Sequence, residues 1–200
     1  MSEINLKPRS EHVGREFTAP HEDLYRAMYR FRDDLRRAER EYREEVVAIR
    51  EKLGVPAVYT ETVDVHRYSL AVQVFAAATV EAAISLYAVV VFGGENHDEH
   101  FRWAPADKRL RKIFTHAGLD VNEDAEVLGL VREIMDARHR IVHPFSVEYL
   151  GSEQATIEVP NRPGPDESAD AAQVATRRVD RFFALMHEID PENGHFLAVF

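Results

Sequence analysis

No cysteine occurs among the 200 residues. That absence excludes disulfides, thiolate zinc sites, cysteine-ligated iron–sulfur clusters and a cysteine nucleophile, and it leaves the core to stand on packing alone. Basic charge is in deficit: 25 Lys and Arg face 35 Asp and Glu, a formal net charge of -10, so no broad electropositive surface for duplex DNA is expected. Glycine-rich phosphate loops are missing too. Gly93-Gly94 is an isolated pair with no strand before it, which removes P-loop and dinucleotide-binding readings. No serine stands in a G-x-S-x-G elbow. The first twenty residues hold no continuous apolar run behind a basic start, so no secretory leader is expected and the protein is read as cytoplasmic.

What is present is helical periodicity. After Pro20, residues Leu24, Met28, Phe31, Leu35, Ala38, Tyr42, Ile49 and Leu53 recur at intervals of three and four, with a gap near Val46, and Gly54 and Pro56 close the run. This seam predicts one long helix packed lengthwise, its wet faces laced by Asp33/Arg37 and Glu39/Arg43. A second helix is expected from about Val65 to Phe92. Its stretch from Ser69 onward is Ala- and Val-rich enough to suggest a membrane span, but Glu81 and Gln73 make a bilayer costly. The central helix of a bundle explains the same residues without that cost, so no membrane is expected.

Pro105 opens a short basic helix that Gly118 ends, and Asn122-Glu123-Asp124 caps another, with Val127, Leu130, Val131, Ile134 and Ile141 on its apolar face. That helix runs into Pro144. The alternation in FSVEYLGSEQATIEV predicts a β-hairpin, the following NRPGPDESAD reads as a loop with Asp170 as N-cap, and a last helix is expected over about Ala171 to Ile189. The fold class expected is therefore all-α: an antiparallel bundle of about five helices with a small β-hairpin insertion. Residues 1–20 are expected to form a flexible segment, 21–190 one domain with its insertion at about 145–167, and 191–200 a tail.

Histidine carries much of the chemical potential, with ten in the chain. His97, Asp98, Glu99 and His100 are a dense set of metal-ligand types in a polar loop, for which solvated side chains are the alternative reading. His139 and His143, four apart, could share a zinc, but Arg140 stands where an H-E-x-x-H motif has its glutamate. Arginine offers a fixed cationic fork for phosphate, and histidine a proton carrier near neutral pH. Both types concentrate in Arg138-His139-Arg140-Ile141-Val142-His143-Pro144.

This R-H-R-I-V-H-P segment resembles the signature of the HEPN superfamily, an arginine and a polar residue followed after four to six residues by histidine. Arg138, His139 and His143 are the matching positions, and an apolar helix with a central glutamate, Glu81, precedes them. The resemblance implies a metal-independent endoribonuclease without cofactor, acting on RNA as a homodimer with the two motifs facing each other. It also implies a toxin or phage-defence setting and an antitoxin protein as partner. His143 would serve as general base or acid, Arg138 would stabilise charge on the phosphoryl oxygens, and His139 would orient the other two or the substrate. Arg140, with Lys108, Arg109 and Lys112 from the basic helix, would bind substrate. Arg111 from the same helix, and Arg177, Arg178 and Arg181 from the last one, are further candidates for a locally basic groove. In one branch of that superfamily a tyrosine stands two residues after the motif histidine; Phe145 stands here and has no hydroxyl to modify.

On a regular helix Arg138 and His143 point about 140° apart, so either the helix ends before His143, as Pro144 favours, or two chains complete the site. Two other function classes fit the same residues. One is a binding module without turnover; the other is a dimerisation element whose interface is the seam of the first helix.

Overall fold

The computed structural model describes residues 20–53, 63–92, 104–142 and 164–197. These form five α-helices: α1 (Pro20–Leu53), α2 (Val63–Phe92), α3 (Ala106–His116), α4 (Glu126–Val142) and α5 (Pro165–Ile189), followed by a 3-10 turn at Gly194–Leu197. The all-α bundle expected from the periodicity is what forms. No strand occurs among the described residues, and the segment expected to form the hairpin, 145–159, lies entirely outside them.

α2 is the axle of the bundle and touches all four other helices and the 3-10 turn. Its residues Val72, Ala76, Ala77, Val80, Ala83, Ile84 and Tyr87 are fully buried. Alanine permits close helix approach, which is why a helix apolar on nearly every side fits among so many neighbours. Among the described residues α2 is also the one helix long and apolar enough to cross a bilayer, and half of its most apolar window is buried inside the protein.

Around α2, Met28, Leu35 and Ala38 face inward from α1, while α3 contributes Leu110, Ile113 and Phe114 and α4 Val127, Leu128, Val131 and Ile134. α5 adds Ala172, Val179, Phe182 and Met186. Phe31 stacks on Phe75 between α1 and α2, with ring centroids 5.2 Å apart. The α1–α5 seam is polar by contrast: the Tyr25 and Tyr29 hydroxyls both donate to Oδ1 of Asp180 at 2.8 Å.

Helix boundaries depart from expectation at two places. α5 starts at Pro165, not near Ala171, so the proline-rich loop is shorter than expected and Asp170 is not its cap. Gly164 occupies the N-cap, Pro165 supplies a preset φ at the first helical position, and the Glu167 carboxylate accepts a 3.0 Å bond from the Gly164 N–H. Before α4, residues Asn122 to Ala125 form a turn, and it is the Ala125 carbonyl that receives the first helical bonds, from Leu128 and Gly129. The end of α3 follows expectation: Gly118 takes φ +74°, and the Leu119 N–H reaches back to the Phe114 carbonyl at 2.9 Å.

At the far end of α5, Asp190 is buried. Its carboxylate accepts from the Tyr87 hydroxyl at 2.6 Å and from the Asn193 side-chain and backbone N–H groups at 2.9 and 3.1 Å. Burial pushes the Asp190 carboxyl up, and these bonds outweigh it, holding the group below the usual carboxylate range. Burial, with the same hydrogen bond, pushes the Tyr87 phenol up.

Candidate functional site

A groove of about 590 Å³ opens where the middle of α2, the start of α3 and the last turns of α4 meet. The spacing of its α4 residues explains why one helix supplies half the wall. Met135 and Asp136 lie three and four residues after Arg132, His139 lies four and three after them, and Val142 three further on, so all five share one face, and Arg138 borders it. α3 brings Asp107 and Arg109, and α2 brings Glu81. Ala104, Pro105 and Ala106 form the rim at the N-terminus of α3, where Pro105 provides no side-chain cap.

Glu81 sits between two guanidinium groups. Its Oε1 lies 3.7 Å from Arg109 and its Oε2 lies 3.7 Å from Arg138. At that distance both are ion pairs without hydrogen bonds. The Arg109 side chain is only 17% exposed, and its Nε is buried with no hydrogen-bond partner among the described residues. Arg138 is 45% exposed. The third arginine is anchored differently: Arg132 lies 3.7 Å from Asp107 and donates to the backbone carbonyls of Glu123 and Leu128. Met135 and Val142 supply apolar wall, the latter 52% exposed.

Of the residues expected to act together, Glu81, Arg109, Arg138 and His139 therefore share one groove. Lys108, Lys112 and Arg140 are exposed and do not line it. Arg111 pairs with Glu123 at 3.0 Å, Arg178 with Glu133 at 2.6 Å, and Arg181 with Glu126 through two bonds of 2.8 and 2.9 Å. The Arg181 bonds hold the Glu126 carboxyl below its ordinary range. These cations are spent on surface partners instead of converging on Arg138. His143 and the His97–His100 loop lie outside the described residues. Among the described residues no cluster of three metal-ligand side chains occurs.

Sequence reasoning overlooked Arg132, Asp107 and Met135, and gave Asp136 no role although it stands just before the motif. The signal was available on α4: stepping back three, four and seven residues from His139 gives Asp136, Met135 and Arg132.

The groove can take a compact anion against an apolar wall, with arginine donors on two sides. Compared with known proteins, the chain matches no family model, no curated protein and no solved structure.

Proposed function

We propose that the protein is a metal-independent endoribonuclease of HEPN type, acting as a cytoplasmic homodimer. The observation that carries this reading is the Arg138 guanidinium, open to solvent on the last turns of α4, beside Glu81 and five residues before His143. In the reaction, His143 takes the proton of the RNA 2′-OH, whose oxygen forms a bond to the adjacent phosphorus. The P–O5′ bond breaks, the leaving O5′ takes a proton from the protonated motif histidine of the second copy, and the products are a 2′,3′-cyclic phosphate and a 5′-OH. Arg138 stabilises the charge developing on the non-bridging oxygens, and His139 orients the phosphate. A second copy presents the same motif from the opposite side, which resolves the angular problem of aiming Arg138 and His143 at one phosphorus. The setting that goes with this reading is a toxin or phage-defence component restrained by an antitoxin protein.

Purified protein incubated with total RNA in EDTA is expected to yield fragments ending in 2′,3′-cyclic phosphate, and His143→Ala to yield none. Fragments from both proteins, or from neither, would overturn the assignment.

One observation favours a second reading. The groove holds three arginines against three carboxylates, a balance that suits a dimeric module binding RNA, a nucleotide or a protein without turnover. That reading predicts bound but intact RNA.

A further inference from the structure

Within the groove the charges are not evenly partnered. Arg132 has Asp107 and two carbonyls to itself, while Arg109 and Arg138 share the single carboxylate of Glu81. Two cations around one anion leave the trio with one surplus positive charge, which the groove's remaining carboxylate, Asp136, balances in sum without an ion pair to either arginine among the described residues. The trio's donors are also largely unspent, because the two contacts to Glu81 are too long for hydrogen bonds and the buried Arg109 Nε has no partner among the described residues. A group that supplied one more negative charge and several acceptor oxygens between these forks would satisfy both deficits.

We infer that Arg109 and Arg138 form a clamp for one phosphate group, and that Glu81 is the resident counter-ion which the phosphate displaces. The two guanidinium groups approach opposite oxygens of the same small carboxylate, so one phosphate in its place reaches both. Contacts of 3.7 Å then give way to charge-assisted hydrogen bonds of about 2.8 Å. Glu81 thereby sets a threshold: ligands without a full negative charge do not dislodge it. The reading of the protein as a ribonuclease enters only in naming the owner of the phosphate, an RNA backbone and not a free phosphate.

The clamp is tested by binding, without reference to cleavage. Inorganic phosphate is titrated calorimetrically, and a 2′-O-methyl RNA oligonucleotide, which has no 2′-OH to react, is titrated by fluorescence anisotropy over a range of salt concentrations. Arg109→Gln is expected to weaken both ligands about tenfold and to reduce the oligonucleotide's logarithmic salt slope by about 0.7, the share of one phosphate contact on a single strand. Arg109→Lys, which keeps the charge at a largely buried position, should keep the slope. Glu81→Gln should tighten both ligands by removing the competitor.

An unchanged slope in Arg109→Gln would overturn the clamp, and weaker binding in Glu81→Gln would overturn the counter-ion role. Binding of neither ligand, or an oligonucleotide that phosphate does not compete away, would also sink the clamp. Phosphate bound without oligonucleotide would leave the clamp standing and remove RNA as its ligand. RNA cleavage with unaltered Arg109→Gln binding would do the reverse, keeping the ribonuclease reading and discarding the clamp.

Discussion

Two carboxylates on the same bundle are treated in opposite ways. Asp190 is 5% exposed and accepts three hydrogen bonds, from Tyr87 and twice from Asn193. Glu81 is 37% exposed and accepts none from the two arginines beside it. The first arrangement is closed, since every partner is used within the fold. The second is open, with donors in excess of acceptors. A polar cluster that holds helices together is saturated; the one around Glu81 is left short.

The sharpest way to break the contrast is to remove each carboxylate in turn. Asp190→Ala leaves the buried Tyr87 hydroxyl without its acceptor and is expected to lower unfolding stability by about 3 kcal/mol in urea titration. Tyr87→Phe removes the donor instead and should cost about 1 kcal/mol, because Asp190 keeps both bonds from Asn193. The group's folded value lies below that of the unfolded chain, so its contribution is complete above about pH 4 and is lost as pH falls through the lower folded value. Between these two substitutions in size is Gly194→Ala, expected to cost about 2 kcal/mol. A methyl group there would stand 2.6 Å from the Met186 carbonyl, in the turn that docks beside Asp190, and a thermal melt reads the loss. Smallest is Glu81→Gln, expected to change stability by less than about 0.5 kcal/mol, since long, half-exposed ion pairs contribute little. A large loss in that variant would mean that Glu81 is a structural group and the two clusters are alike.

How far the sequence foretold this is best seen residue by residue. α1 was legible because Met28, Leu35 and Ala38 repeat at helical spacing and are buried, with Leu24, Phe31, Tyr42 and Ile49 half-buried along the same seam. Glu81 was legible as an anomaly, a charge in the middle of an apolar run. Arg138 and His139 stood in a short motif, and the groove contains both. Lys108, Arg109, Arg111 and Lys112 look equivalent as letters, yet of the four it is Arg109 that lines the groove and pairs with Glu81, while Lys108 and Arg111 are turned away by about 100° and 200°. The start of α5 was hidden because Pro-Gly-Pro reads as a breaker until the second proline is set at the first helical position. The pairing of Tyr87 with Asp190 joins residues 103 apart and leaves no local trace in the sequence.

The length of α1 has a consequence for motion. Its 34 residues extend about 51 Å, yet its last buried side chain is Ala38, and none of residues 39–52 is buried. The first half is tied to the core and opens only when the whole bundle does. The second half is held by its own backbone bonds and by half-covered side chains such as Tyr42 and Ile49. Amide protons along this one rod therefore span two regimes: slow, globally gated exchange near Met28 and Leu35, and fast, local fraying toward Lys52. A single continuous helix is thus expected to exchange as two pieces, an anchored stem and a breathing tip.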